Sequence, residues 1–517
     1  MSFARVHSAQ TFALKGTIIN VEVDLARGLH SFSVVGLPDK AVEEARDRVG
    51  AALKNSGFDS PKHSNQKVVV SLSPADLKKE GPLFDVAIAL GYLLANESIS
   101  FDPTKKLFLG ELALDGEIRS IPGALLLAQA ARESGFQELY VPMANVREAA
   151  LVEGIAVYGV TTLGELIEHL DEKKQPQNAP VRHKLEPAPA TLLTRVKTKG
   201  HSDFKDIKGQ EGAKRGLEIA AAGGHNVLMF GPPGTGKTML ARALASILPE
   251  LEGDRVLEVT GIHSAAGALR DEVIMRPPFR SPHHTSSYVS LIGGGAFPKP
   301  GEVTLAHRGV LFLDEFPEFE KRVLEALRQP LEDRVVSIAR AKGSAQFPSD
   351  FILVAAMNPC PCGNYGTHGK VCVCSAHEIA RYQKKVSGPI LDRIDIGLHV
   401  GPVSYETLEQ AGGEDSETVE ARISAARKRA AQRFQNHPRA LAQNSEMNSK
   451  DIEEYAHLGS DAQKILKEGA ERLGLSARVY HRTIKLARTI ADLGESDTIL
   501  PEHVLEALRY RPQIVAQ

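Results

Sequence analysis

The 517-residue sequence has no tryptophan, and its four cysteines all fall between Cys360 and Cys374. The first absence excludes nothing. The second excludes a disulfide framework, which needs partners spread through the chain, and points to a local cluster. An excess of positive charge is also missing: 62 Lys and Arg stand against 64 Asp and Glu, a formal net charge of −2. No bulk field draws the chain to nucleic acid, so any such contact has to come from local basic loops or from a ring that concentrates them. No uninterrupted apolar run reaches the roughly 18 residues of a bilayer crossing. The opening MSFARVHSAQTF holds no apolar core of a secretory leader. A cytoplasmic protein with no membrane partner is expected.

A chain of this length with 42% hydrophobic residues exceeds one core and should divide into about three domains. From residue 1 to about 170, β-like runs (GTIINVEVDL, HSFSVVGL, KVVVSLSP) alternate with helical ones (KAVEEARDRVGAALKNSG, DVAIALGYLLA, ALLLAQAARESG). This predicts an α/β domain, with Gly57 and Gly135 placed to end helices in the left-handed conformation. Residues 171–200 carry four prolines and scattered charges, the composition of a semi-rigid linker.

The strongest signal follows. Gly231-Pro232-Pro233-Gly234-Thr235-Gly236-Lys237-Thr238 stands between the apolar run Val227–Phe230 and the helical MLARALASIL. A strand, a glycine-rich loop and a helix form a phosphate-binding P-loop: free amide groups and the positive end of the helix make a concavity for nucleotide phosphates. Lys237 would reach the β- and γ-phosphates and the Thr238 hydroxyl would hold Mg²⁺, so ATP and Mg²⁺ are the expected cofactors. The run Val310–Leu313 ends in Asp314-Glu315. The first carboxylate suits hydrated Mg²⁺ and the second the orientation and deprotonation of an attacking water. FILVAAMNP brings Asn358 to the end of a third strand, either to position that water or to cap the turn before Pro359. In LDRIDI, Arg393 stands between two aspartates. It either neutralises charge on a transferring phosphoryl group from a neighbouring subunit or forms a local ion pair with Asp392 or Asp395. From about Ser416 the text is helical, and Arg478 lies within it.

These motifs resemble those of AAA+ ATPases. The resemblance implies that Ile207 to Gln210 pack around the adenine, that Asp314 and Glu315 form Walker B, that Asn358 is sensor 1, Arg393 the arginine finger, and Arg478 sensor 2 on a helical lid. In the first 170 residues, KKEGPLFDVAIALGYLLA and LFLGELALDGEIRSIPG resemble the catalytic region of Lon proteases. Leu83 and Leu125 stand where that family's serine and lysine would be, so the domain is expected to be non-proteolytic. Between the P-loop helix and Walker B, GIHSAAGALRDEV and FRSPHHTSS resemble the magnesium-chelatase branch. With NPCPCG, CVCS and LDRIDI, the whole chain resembles the ComM/YifB family.

The expected fold class is therefore α/β multidomain: a Lon-like domain over 1–170, a linker over 171–200, an AAA+ core over 201–402 with a cysteine-rich insert at 358–375, and a helical lid over 403–517. The resemblance implies an ATP-hydrolysing homo-hexameric DNA helicase that promotes branch migration as transforming DNA is integrated. Single-stranded or branched DNA is its expected partner. A remodeller of protein substrates is the alternative. Arg270, Arg276, Arg280 and Lys299 lie where a ring could aim them at a phosphate backbone. For His283 and His284, contact with nucleic acid, metal binding and loop ordering all remain open. Cys360, Cys362, Cys372 and Cys374 suit one tetrahedral structural Zn²⁺, with reduced free thiols as the other reading.

Overall fold

A computed structural model describes the chain apart from residues 1, 64, 174–183, 192, 194–201, 270–272, 296–297, 341–342, 367–369, 410–411 and 513–517. It divides into two compact units, one of residues 1–195 and 253–273, the other of residues 196–252 and 274–517. The chain thus passes between them three times, after residues 195, 252 and 273.

The first unit is built on a seven-stranded mixed sheet in the order Ser31–Val35, Gln66–Ser73, Lys15–Arg27, Phe3–Phe12, Lys106–Phe108, Glu138–Pro142, Ala156–Val160. Strict alternation in Lys15–Arg27 buries Ile19, Val21 and Val23 on one face. The helix Asp85–Ala95 lies on that face, apolar nearly all round and buried accordingly. On the other face the helix Ala124–Glu133 packs over Ala9 and Leu107. Leu125 is a core residue of that second cluster and the half-buried Leu83 packs against it. The two positions that would carry a protease's hydroxyl and amine are thus both taken up by apolar packing. The helical run from Lys40 breaks into Lys40–Glu43 and Ala45–Asn55, the first capped by the Asp39 carboxylate on Val42 N at 2.9 Å. Gly57 and Gly135, at φ 86° and 80°, follow the ends of Ala45–Asn55 and Ala124–Glu133. At each, the two amides beyond the cap bond back to the last turn, Phe58 N to Leu53 O and Phe136 N to Ala131 O, both 3.0 Å.

Of the stretch expected as a linker, residues 171–173, 184–191 and 193 are described and the remainder lies outside the described residues. Residues 185–191 run along the first unit. Leu185 N donates to His169 Nδ1 at 2.9 Å, Ala188 N to Val157 O at 2.7 Å and Thr191 N to Ala150 O at 3.0 Å. The helix Asp254–Ala265 also belongs to this unit: Gly261 seats it against Leu126, and the Ser264 hydroxyl accepts from Gly123 N at 2.8 Å and donates to the buried Glu148. Burial pushes the Glu148 carboxyl up, while the bonds from Ser264 and Leu125 N oppose the shift.

The second unit holds a five-stranded sheet in the order Phe279–Arg280, Val310–Leu313, Ile352–Met357, Val227–Phe230, Ile396–His399, all parallel. Its central strands are buried on both faces, as continuous apolar runs require. The helix Glu211–Gly223 precedes the sheet and carries two helices of the C-terminal region, Ser416–Arg433 and Ala477–Leu493. With Ser449–Tyr455, Ser460–Leu473 and Pro501–Arg509 these complete a helical C-terminal region. Among the described residues no helix is long and apolar enough to cross a membrane.

Candidate nucleotide site

Phe230 is in register with Met357 on one side and His399 on the other, so the loop Gly231–Thr238 leaves the carboxyl edge of a parallel sheet, where ligands of such sheets bind. A Cβ on Gly231 would meet the Val400 carbonyl at 2.0 Å; only glycine lets the loop depart so close to its neighbour. Gly234 and Gly236, at φ 80° and 89°, turn the loop into the helix Lys237–Ser246. The unpaired amides of that helix start, and its positive end, face the loop.

Lys237 is buried, and its Nζ donates to Gly231 O and Pro232 O at 2.8 Å and to Asn358 Oδ1 at 3.1 Å. Burial pushes the ammonium below the usual lysine value, and the charge of Asp314 acts against that shift. Thr238 Oγ1 donates to Asp314 Oδ2 at 3.0 Å. This hydroxyl beside a carboxylate is an oxygen donor set suited to Mg²⁺. The Asp314 Oδ1 accepts from Glu315 N at 2.9 Å. The strands Val310–Leu313 and Ile352–Met357 are adjacent, with Leu313 opposite Ala355, so Asp314 and Asn358 emerge on the same edge as the glycine-rich loop. Five predicted residues therefore come together: Lys237, Thr238, Asp314, Glu315 and Asn358.

Glu315 has a left-handed backbone at φ 50°, and its Oε2 lies 3.1 Å from His284 Nδ1. His284 packs its ring on His283 at 4.2 Å between centroids, and His283 Nδ1 lies 2.8 Å from Thr285 Oγ1. This pairing of an insert histidine with the candidate base was not foreseen. Its only sequence signal was the H-H pair, which names no partner.

Arg393 and Arg478 are not brought to these five residues. Asn226, Asp350, Phe351 and Asp395 precede the strands whose far ends carry the nucleotide loop, and they line a cavity of about 210 Å³ with Arg393 and Arg478. The two arginines thus stand at the amino edge of the sheet. A four-residue strand, about 13 Å long, intervenes. Arg393 is buried and pairs with Glu332 rather than with Asp392 or Asp395. The loop around it is fixed by Asn226 Nδ2 donating to Arg393 O at 2.8 Å. Arg478 pairs with Asp392 at 3.3 Å. Beneath them, burial pushes Asp395 up, but its hydrogen bond to His225 and the charges of His225, Arg482 and Lys485 hold it below the usual carboxylate value.

The four cysteines converge. Cys360 Sγ lies 3.4 Å from Cys362 Sγ and 3.7 Å from Cys372 Sγ, the latter two are 3.6 Å apart, and all four sulfurs fall within 4.8 Å of one another. Zn–S bonds of about 2.3 Å in a tetrahedron put sulfurs about 3.8 Å apart, so the set fits that ion. Of the basic residues in the insert, Arg280 is held by Glu302 through two contacts of 2.6 and 2.7 Å, and Arg276 lies 3.8 Å from Glu250. Lys299 is exposed, and Arg270 lies outside the described residues.

Models of three families cover the chain in succession: subunit ChlI of Mg-chelatase over residues 21–145, magnesium chelatase subunit ChlI over 203–408, and its C-terminal part over 413–511. Competence protein ComM of Haemophilus influenzae is 41% identical over 517 residues, 99% of this chain and 98% of its own length. The protein YifB of Escherichia coli is 41% identical over 517 residues, 99% of this chain and 97% of its own. Lon protease 2 of Bacillus subtilis is 32% identical over 181 residues, 31% of this chain and 33% of its own. Fold and matches together define a magnesium-chelatase-like AAA+ protein, a class that implies ATPase activity. Within that class, the chain belongs to the ComM/YifB family.

Proposed function

We propose that the chain is an ATP-driven DNA motor of the cytoplasm: a homo-hexameric helicase that moves branched DNA during integration of transforming DNA. One observation carries the ring. Lys237, Thr238, Asp314, Glu315 and Asn358 stand at one edge of the sheet and Arg393 and Arg478 at the other, so one chain cannot bring its own arginines to its own nucleotide. A second copy completes the site when its arginine edge faces the first copy's P-loop. DNA as the polymer rests on the relative named for competence and on exposed basic positions such as Lys299.

In this reading the loop amides from Gly231 to Thr238 take the ATP phosphates, and Lys237 turns from its loop carbonyls to the β- and γ-oxygens. Mg²⁺ held by Thr238 and Asp314 supplies charge neutralisation there. Asn358 and Glu315 fix the attacking water, and Glu315 takes its proton after leaving His284. Arg393 of the neighbour meets charge developing on the γ-phosphate, a contribution of about 10³–10⁵ in rate. Arg478 joins it from the lid and reports the nucleotide state to the helical region. The cysteines hold a structural Zn²⁺.

The test is ATP hydrolysis by the full chain with and without single-stranded and forked DNA, alongside its mass in solution with nucleotide. A hexamer with DNA-stimulated hydrolysis and strand displacement supports the motor. Hydrolysis indifferent to DNA but stimulated by a protein substrate would instead make it a remodeller, the reading to which a chelatase-type subunit family also lends itself.

A further inference from the structure

The four-cysteine cluster is built against the nucleotide loop. Cys360 is fully buried two residues beyond Asn358, whose side chain accepts from Lys237. The intervening Pro359 carbonyl accepts from Gln383 Nε2 at 3.1 Å. Gly363, at φ 79°, approaches the P-loop itself: a Cβ there would meet Pro233 Cδ at 2.6 Å and Cγ at 3.0 Å. The backbone after Cys362 is therefore pressed on the P-loop from the side where the sensor strand ends.

What holds that backbone is not apolar packing. Val371 and Val373, beside Cys372, are 84% and 81% exposed. Instead, amides aim at sulfur: Tyr365 N at Cys360 Sγ, 3.3 Å away, and the amides of Asn364 and Val373 at Cys362. Amides directed at ligating sulfurs are the outer contacts that orient a metal site. Four sulfurs at non-bonded separation, brought by two short C-x-C pairs, suit a shared cation that would keep them gathered.

We propose that occupancy of this cluster by a thiophilic divalent metal, Zn²⁺ in the first instance, sets the nucleotide affinity of the P-loop. This rests on the metal and nucleotide readings above and adds their coupling. With metal bound, the Cys360–Cys362 and Cys372–Cys374 arms close. Gly363 then buttresses Pro233, and Asn358 stays at Lys237. Without it the buttress is released, and the loop amides lose the arrangement that phosphates need.

The experiment uses the full-length protein and reads two quantities: zinc per chain by elemental mass spectrometry, and the Kd of a fluorescent ATP analogue. Wild type is compared before and after stripping with a thiol-directed mercurial and a chelator, and again after refilling with Zn²⁺. Cys374→Ser and Gly363→Ala are measured beside it, with circular dichroism to follow the fold. The expected result is one zinc per wild-type chain and a Kd raised about tenfold on stripping, equivalent to ~1.4 kcal/mol, restored on refilling. Gly363→Ala keeps its zinc and its helical content yet also binds nucleotide more weakly, which remains readable if stripped protein unfolds. Zinc that comes and goes while Kd stays constant, with Gly363→Ala like wild type, overturns the coupling and leaves the metal site standing. Metal-free protein as isolated, with full nucleotide affinity, overturns the metal site and the coupling together. Zinc-filled protein that binds no nucleotide overturns the nucleotide reading instead.

Discussion

The two edges of the five-stranded parallel sheet carry opposite chemistry. At the carboxyl ends of the strands stand a lysine, a hydroxyl, two acids and an amide, with hydrogen bonds of 2.9 to 3.1 Å among them. At the amino ends stand Arg393 and Arg478, held by Glu332 and Asp392 around a cavity. In the proposed reading the first edge takes phosphate and metal, and the second supplies positive charge. The parallel strands thus separate the two groups by their own length. In the proposed ring, that separation would let each chain sense its neighbour's nucleotide.

The largest expected effect comes from the arginine edge. Arg393→Ala should lower turnover about 10³-fold or more while ATP affinity changes little. Mixing it with Lys237→Ala subunits should recover part of the activity, because each lesion then sits in a different site; steady-state hydrolysis across mixing ratios reads this, and no recovery at any ratio would place both lesions in one site. Next, Glu315→Gln should reduce turnover about 10²–10⁴-fold with ATP still bound, checked by single-turnover hydrolysis beside equilibrium binding. Lys237→Ala should weaken ATP binding about 10- to 100-fold, the scale of lost charge-assisted hydrogen bonds; titration with a fluorescent analogue measures it. The smallest effect is at His284. Its pair with Glu315 is partly exposed, so His284→Ala should change basal hydrolysis by no more than about fivefold. The change should be an increase, since Glu315 is released, and DNA stimulation should shrink correspondingly.

Much of the first edge was legible because its residues are contiguous or end strands that announce themselves: GPPGTGKT after VLMF, DE after VLFL, N after FILVAAM. The α/β character of the first unit was legible from its alternating runs, and Gly57 and Gly135 from helix-ending chemistry. What stayed hidden depends on which strands and loops become neighbours. His284 reaches a glutamate 31 positions on in sequence, Gly363 lies on Pro233, 130 positions before it, and Arg393 chooses Glu332 over the aspartates beside it. The strand Phe3–Phe12 was missed because its FARVHSAQTF mixes small and polar residues, yet its hairpin partner and central place make it a strand. Nor did residues 184–191 advertise their bonds to the first unit, since a proline-rich segment reads alike whether docked or loose.

The helix Asp254–Ala265 interrupts the second unit's sequence yet packs in the first unit, with Leu257 against its apolar cluster and Gly261 against Leu126. Cutting the gene at the apparent boundary near residue 200 would thus leave the ATPase-class fragment with an orphaned greasy helix in the middle of its own sequence, and such a fragment should precipitate. Swapping the front half for that of a distant relative should fail for the same reason unless residues 253–273 travel with it.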